Sequence, residues 1–245
     1  MFVSEFPTLR EAPVTSTVVH RALDGRRYEL SGPLDLGQPS TSSVRVTVRG
    51  RTHEFVAGVS GLAEEVATAL GVSGFDEELG FAGGTLLIGR TRRVEPGSRI
   101  TEDILVAVWR GRRHCLISHF YGTSTAAAVA ALATLGITEH DDGVAVRPTA
   151  GSAVVAPAAV VKEVPTLGLL EMTVPTAPQA TRLPGWKGAK TRSGELFSDR
   201  MSNGDPYFVL AGEDTWTTVL PLADTDLARV PALVDRLGAR LLGDR

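Results

Sequence analysis

The residue of this chain best suited to nucleophilic chemistry is Cys115, which follows His114 and lies four positions before His119. A thiolate activated by a neighbouring histidine can attack electrophilic carbon. The surrounding sequence alternates as a β-strand, however, so residues 114 and 115 point to opposite faces while 115 and 119 share one. Catalytic cysteines usually lie at a helix N-terminus or beside a positioned base. We therefore predict a packed, unreactive Cys115, and a single cysteine excludes an intrachain disulfide and a four-cysteine zinc site.

Two other segments contain residue types or spacings that bind ions. Glu139-His140-Asp141-Asp142 offers metal ligands in a row, but no second acidic or histidine cluster would complete the site, so we predict a solvated turn that closes on Gly143. Gly80–Gly84 is glycine-rich but lacks the lysine and the following helix of a phosphate loop, and it predicts a tight turn between strands. The chain also has no Gly-x-Ser-x-Gly elbow. The sequence therefore assigns no catalytic residue, no metal and no cofactor.

Arginine and tryptophan are concentrated around predicted turns. Arginines flank both Gly50 and Gly111, and Trp186 lies in a loop without apolar neighbours. Both residue types are enriched in protein interfaces, where planar groups bury area at a low entropic cost. The predicted partner-binding residues are Trp109, Arg110, Arg112, Arg113 and Trp186.

The composition is that of a globular chain with one or two domains. Its 245 residues are 43% hydrophobic and 22% charged, with a formal net charge of −3, which excludes a disordered protein. The near-neutral charge argues against nucleic-acid binding through phosphate neutralisation. Residues 1–10 lack the features of a signal peptide, and no uncharged apolar run approaches the roughly 18 residues of a membrane span. We expect a cytoplasmic protein without membrane insertion.

A series of β-hairpins is the clearest local signal. Asp24-Gly25, a pair typical of type I′ turns, separates two strand-like segments. Ser124 is placed to cap a helix. Further hairpins are predicted over 44–57, 104–120 and 207–220, and the helices that follow them over 61–70, 125–135 and 226–242. Because each helix has one apolar face, we predict an α+β fold in which antiparallel hairpins are each followed by a helix packed on the sheet.

An internal repeat and a proline-rich segment divide the chain. Val-Arg-Gly-Arg-Thr-His at 48–53 matches Trp-Arg-Gly-Arg-Arg-His at 109–114, an offset of 61 residues, which indicates two pseudo-repeated halves. Segment 148–184 contains six of the 14 prolines and predicts a linker or an extended edge segment, because proline is excluded from central strands. We therefore predict an N-terminal hairpin–helix domain over 1–147 and a C-terminal hairpin–helix unit over 185–245.

Parts of the chain resemble known families. Residues 104–148 resemble the middle of the type VII (ESX) secretion-associated EspG family, and 207–242 resemble its C-terminal strand–strand–helix, where a tryptophan begins the second strand as Trp216 does here. The resemblance implies a cytosolic chaperone that holds a secreted helical protein. Residues 44–110 are also similar to a ubiquitin-type β-grasp, a likeness of fold alone.

These observations predict a non-enzymatic adaptor or secretion chaperone that holds a protein partner and acts as a monomer or dimer. Two alternatives stay open: a hydrolase or transferase whose site is assembled from distant histidines and carboxylates, and a structural subunit of a larger bacterial or phage particle. His114 or His119 in a cleft beside a carboxylate would favour the enzyme. A discrete oligomer or fibre would favour the structural subunit.

Overall fold

The computed structural model describes residues 15–94, 101–149, 151 and 153–243. Strands make up 53% of it and helices 12%. The strands are β1 (Ser16–Arg21), β2 (Arg27–Gly32), β3 (Ser40–Val48), β4 (Arg51–Val59), β5 (Glu77–Phe81), β6 (Gly84–Val94), β7 (Thr101–Arg110), β8 (His114–Tyr121), β9 (Leu135–His140), β10 (Gly143–Pro148), β11 (Ala153–Val155), β12 (Ala159–Val164), β13 (Gly168–Thr173), β14 (Ala189–Thr191), β15 (Gly194–Arg200), β16 (Pro206–Ala211), β17 (Trp216–Leu220) and β18 (Gly238–Leu242). The helices are α1 (Leu62–Ala69), α2 (Thr125–Leu132), α3 (Ala177–Ala180) and α4 (Val230–Asp235).

The strands form two sheets. The smaller sheet has the order β18-β2-β1-β10-β9, in which β1 and β10 run parallel and the other neighbours are antiparallel. The larger sheet has the order β14-β15-β16-β17-β13-β12-β3-β4-β8-β7-β6-β5, and β11 also pairs with β3. The β3–β12 pair aligns Ser40 with Lys162 and Ser42 with Val160. Within the larger sheet, this pair joins the strands of residues 40–121 to those of residues 159–220.

The main core lies between the two sheets. Tyr28 and Leu30 of the smaller sheet and Val46 and Phe55 of the larger one belong to one buried cluster, each at most 1% exposed. A second cluster lies where α1 covers the other face of β7 and β8, over residues that include Val106, Val108, Cys115 and Ile117. Because β7 and β8 are covered on both faces, their sequences are apolar over most of their length instead of alternating.

The predicted α+β fold with a helix after each hairpin is wrong. Hairpin β3–β4 does lead to α1, and β7–β8 leads to α2, but each helix has only eight residues, and most of the other hairpins lead into further strands. The structure is therefore mostly β, built of large antiparallel sheets. No helix in the described residues is long and apolar enough to cross a membrane.

The helix predicted over 226–242 divides into α4 and β18. Val230, Val234 and Leu237 are buried as the apolar stripe requires, but Leu227 is 45% exposed. After Leu237 the burial changes from helical spacing to alternation, with Ala239 inward and the next residue outward. The same apolar residues thus serve a short helix first and a strand afterwards.

The helix predicted over 125–135 begins as expected and ends early. Ser124 Oγ accepts a hydrogen bond from Ala127 N–H at 3.3 Å, which confirms the N-cap. Gly136 was expected to end the helix, but it lies in β9 opposite Arg147. The cause is pairing, since β9 forms a ladder with β10 over its whole length.

The hairpin turns differ in part from their predicted geometry. Gly25 has a φ of 91°, but Asp24 does not have the second positive φ that a type I′ turn requires, so that prediction is wrong. Two consecutive positive φ values occur instead at Arg49 (48°) and Gly50 (78°), between β3 and β4. They also occur at the two residues between β5 and β6, which confirms a tight turn within Gly80–Gly84.

The proline-rich segment and the β-grasp-like segment are both integrated into the larger sheet. Segment 148–184, predicted as a linker or extended edge, contributes β12 and β13, which lie between β3 and β17. Pro157 and Pro165 flank β12, where a missing N–H removes no ladder hydrogen bond. In residues 44–110, β4 and β7 are separated by β8, so this segment is not a self-contained unit.

Replacing Gly168 with alanine should destabilise the larger sheet. Gly168 has a φ of 125°, and an added Cβ would lie 2.3 Å from the carbonyl oxygen of Leu220. We expect a loss of roughly 2–4 kcal/mol of unfolding free energy, measured by urea denaturation. Gly61→Ala is the control, because nothing lies within 4 Å of its added Cβ, and it should change stability by less than about 0.5 kcal/mol. Equal effects of the two substitutions would contradict the strained packing at Gly168.

Candidate functional site

The two predicted tryptophans have opposite environments. Trp109 is 3% exposed, and its indole N–H donates to the carbonyl of Phe81 at 3.0 Å. It is therefore part of the core and does not present a surface to a partner. Trp186 is 69% exposed in the loop between α3 and β14, where it is available for contact.

The three predicted arginines lie in or beside the β7–β8 connection. We define residues 110–114 as the arginine turn. Arg110 is ion-paired with Glu64 of α1, and its side chain is 35% exposed. Arg112 is 92% exposed, and its Nε lies 3.9 Å from a carboxylate oxygen of Glu139. Arg113 is 68% exposed and pairs at 2.9 Å with Asp141, which is 91% exposed. The turn thus presents at least two guanidinium groups to solvent.

Glu139, at the edge of the smaller sheet, holds the arginine turn in place. Its carboxylate accepts the backbone N–H groups of Arg112 (2.8 Å), Arg113 (2.7 Å) and His114 (2.9 Å). His114 Nδ1 lies 3.3 Å from the same carboxylate. A Cβ on Gly111 would come within 2.7 Å of the Glu139 carboxylate, so glycine permits this close approach without displacing the Glu139 side chain. One carboxylate therefore satisfies three consecutive backbone donors of the turn.

These hydrogen bonds determine the ionisation of Glu139. Burial by itself would raise its pKa, but the N–H groups of Arg112, Arg113 and His114, together with the His114 ring, lower the pKa to about 2. The carboxylate is therefore negatively charged throughout the neutral range, and its oxygens are occupied by donors. Glu139 is an anchor for the turn and is unsuited to act as a proton acceptor.

The acidic run that was predicted to form a solvated turn is an electrostatic junction. Asp142 is only 17% exposed and accepts hydrogen bonds from Arg21 and Arg27, each at 2.8 Å. Burial opposes its ionisation, but the two arginines lower the pKa of Asp142 below its ordinary value. Only Asp141 is solvated as predicted. Among the described residues there is no group of three or more metal-ligating side chains.

Cys115 is buried, as predicted for an inert cysteine. Its Sγ donates to the carbonyl of Val59 at 3.4 Å, and burial raises the pKa of the thiol to about 11. The thiol form therefore dominates at neutral pH. Cys115 Sγ is hydrogen-bonded to the Val59 carbonyl and not to His114 or His119, so the described residues contain no Cys–His pair here.

A cleft of about 400 Å³ opens between the two sheets next to the arginine turn. His114 and Asp141 line it together with three residues that the sequence analysis did not single out as a site, His20, Ser40 and Lys162. His20 Nδ1 and Ser40 Oγ are 2.8 Å apart, and Lys162 Nζ donates to the carbonyl of Gln38. We call this feature the inter-sheet cleft.

His20 is a neutral histidine. Burial, and next the positive charge of Lys162, lower its pKa to about 4, against a smaller opposing effect of Asp142. Its Nε2 is buried and has no hydrogen-bond partner among the described residues. At neutral pH the imidazole can accept the Ser40 proton at Nδ1, which leaves the Nε2 hydrogen unsatisfied.

One sequence signal could have drawn attention to the cleft. Lys162 interrupts the apolar run Ala159-Val160-Val161 at a position where strand alternation requires an inward side chain. The approach of His20 to Ser40 across two sheets has no local signal. Comparisons of this chain with protein families, curated proteins and solved structures find no match.

Glu139→Gln should loosen the arginine turn. The amide offers one acceptor where two oxygens now accept backbone N–H groups, so we expect a loss of roughly 2–3 kcal/mol of unfolding free energy. Hydrogen exchange at the Arg112 and Arg113 amides should become faster in the variant. The control is Asp141→Asn. The Asp141 side chain is 91% exposed, so the loss of its ion pair with Arg113 should lower the unfolding free energy by less than about 1 kcal/mol. Unchanged amide exchange in Glu139→Gln would refute the anchoring role.

His20 should make folding stability depend on pH between 7 and 5. Its pKa is lower in the folded protein, about 4 against 6.5, so the unfolded state binds the proton first and stability falls as the pH falls below about 6.5. Wild type should lose about 2 kcal/mol more than His20→Gln between pH 7 and pH 5. Chemical denaturation of both proteins at several pH values measures the difference. Parallel pH profiles would show that His20 ionises normally in the folded state.

Proposed function

We propose that this chain is a non-enzymatic protein-binding module that uses the arginine turn to contact acidic side chains of a partner protein. The observation that carries the proposal is the hydrogen bonding of the turn's backbone to Glu139. A carboxylate that is 13% exposed accepts three backbone N–H groups, while the adjacent Arg112 is 92% exposed. The backbone of a surface turn is thereby ordered before any partner arrives.

Pre-ordering of the turn favours binding for an entropic reason. A flexible loop loses conformational freedom when it binds, and this loss opposes association. The arginine turn has already lost that freedom on folding. Arginine also suits an interface, because its planar guanidinium can donate two parallel hydrogen bonds to a carboxylate.

The ion pairs of the turn leave its arginines available. Arg113 and Asp141 are 68% and 91% exposed, and such solvated pairs contribute little free energy. A partner carboxylate can therefore replace Asp141. In the part of the chain that the structure describes, Arg112 has no closer carboxylate than that of Glu139, whose oxygens accept backbone N–H groups. These two side chains are the principal contacts that we assign.

The alternative of an enzyme has two observations in its favour. His114 lines the inter-sheet cleft beside the carboxylate of Glu139, and His119 lines another cleft together with His53 and Glu54. The carboxylate of Glu139 is committed to three N–H donors and has a pKa of about 2. The nearby thiol of Cys115 has a pKa of about 11. The contacts around His114 thus support a structural role for the carboxylate and favour the binding module.

The alternative of a structural subunit is disfavoured by the outer strands of the larger sheet. Exposed Glu77 and Glu78 lie on β5 at one end, and exposed Lys190 lies on β14 at the other. Charged side chains on edge strands oppose association by sheet extension. The resemblance to the EspG family supports a secreted helical protein as the class of partner.

The test is purification of the tagged protein from its native host, with quantification of co-eluting proteins by mass spectrometry. We expect one or two proteins in near-stoichiometric yield with the wild type. With the double variant Arg112→Ala/Arg113→Ala, the yield of these co-eluting proteins should fall about tenfold or more, while the melting temperature of the variant stays unchanged.

The matched control is Arg92→Ala/Arg240→Ala, which removes two ion-paired arginines of similar exposure, 70% and 64%, from other strands. It should retain the partner. Equal loss in both double variants would show a general charge effect, and full retention in Arg112→Ala/Arg113→Ala would show that the arginine turn is not the contact.

A further inference from the structure

Lys162 occupies a position where the fold otherwise places apolar side chains. Its neighbours on the same face of β12, Val160 and Val164, are at most 1% exposed, as is its cross-strand partner Leu170. Lys162 itself is 1% exposed. Burial lowers the pKa of its ammonium, and Asp35 is the charged group that opposes this effect. An ammonium buried among hydrophobic residues is destabilising unless it is paired.

The described residues do not supply the expected counter-ion. No carboxylate oxygen among them lies within 4 Å of Lys162 Nζ, and its hydrogen-bond acceptor is the neutral carbonyl of Gln38. An ammonium has three donors. The fold therefore leaves two of them without a protein partner in the part of the chain that the structure describes.

The wall of the cleft opposite Lys162, formed by the smaller sheet, also has a polar side chain at this point. His20 pairs with Tyr28 across the β1–β2 ladder, and because directly paired residues share a face, it points toward the core side of the smaller sheet. Ser40 is the cross-strand partner of Lys162 and contacts His20 at 2.8 Å. His20, Ser40 and Lys162 thus form a polar group between two otherwise apolar sheet faces.

Among the described residues that line the cleft, Lys162 is the cationic side chain without a carboxylate partner. The guanidinium of Arg21 is bound to Asp142 at 2.8 Å, and Asp141 is bound to Arg113 at 2.9 Å. Asp35 accepts a hydrogen bond from Gly37 N–H at 2.9 Å in the loop above. A ligand that enters the cleft therefore meets one buried positive charge whose partner is a neutral carbonyl.

We propose that the inter-sheet cleft binds a small organic carboxylic acid, with the carboxylate on Lys162 and the hydrocarbon part against the apolar wall. That wall includes Val18, Leu36, Val59 and Val144. The volume of about 400 Å³ lies within the range of small-molecule sites. One ammonium balances one carboxylate, whereas a phosphate dianion would need a second cation and the cleft commits Arg21 elsewhere. This site borders the arginine turn at His114 but takes its positive charge from Lys162, which is not part of that turn.

Octanoate is a suitable probe, with inorganic phosphate at equal ionic strength as the comparison. Isothermal titration calorimetry should detect octanoate binding to the wild-type protein and none of comparable affinity for phosphate. Lys162→Met should weaken octanoate binding by about tenfold or more, and its melting temperature without octanoate should equal or exceed that of the wild type. The control Lys190→Met changes an exposed lysine of β14 and should bind octanoate within about twofold of the wild type.

A second pair of variants tests the cleft without touching the buried charge. Val59 lines the cleft and is 45% exposed, so Val59→Trp should fill the cleft, keep the fold and weaken octanoate binding by about tenfold. Val154→Trp, at a position 65% exposed and outside the cleft, should have no effect. The proposal is overturned if the wild type does not bind octanoate, if phosphate binds equally well, or if Val59→Trp retains full affinity. A lower melting temperature in Lys162→Met with unchanged octanoate affinity would also overturn the proposal. It would give Lys162 a structural role through its hydrogen bond to the Gln38 carbonyl.

Discussion

The alignment of β3 with β12 is the constraint on which the larger sheet depends. β3 pairs with β4 on one side and with β12 on the other. It therefore joins two halves of the sheet, which have the orders β4-β8-β7-β6-β5 and β12-β13-β17-β16-β15-β14. The same alignment sets Ser40 against Lys162 and thereby forms one wall of the inter-sheet cleft. Because side chains alternate along a strand, a shift of one residue would turn Lys162 outward and Val161 inward.

The four residues from Glu139 to Asp142 connect the two sheets at the other side of the cleft. Glu139 holds the backbone of the arginine turn, Asp141 pairs with Arg113, and Asp142 binds Arg21 and Arg27. A short acidic segment thus orders β1, β2 and the β7–β8 connection relative to one another. The binding surface and the cleft share this junction, although their ligands differ in chemistry.

Local sequence was sufficient for the features that depend on local physics. The positions of the hairpins, the Ser124 cap and the burial of Cys115 follow from glycine placement, capping preference and strand alternation, although the type of the turn at Asp24-Gly25 does not. Trp109 was misplaced because α1 and the core cover both faces of β7, and alternation cannot reveal a doubly covered strand. The prediction of one helix over 226–242 was wrong because apolar residues at helical spacing also fit a short helix followed by a strand. The anchoring by Glu139 and the burial of Lys162 depend on strand pairing between distant segments, which no local pattern encodes.

The position of β18 beside β2 has a consequence for biosynthesis. Glu29 and Arg240, which pair across these strands, are 211 positions apart, so the ribosome must pass residue 242 before the outer edge of β2 is covered. Until then the nascent chain carries an open strand edge, the kind of surface through which incomplete β proteins associate. The addition of β18 to the smaller sheet therefore waits for residues 238–242, and its long-range contacts make this step slow.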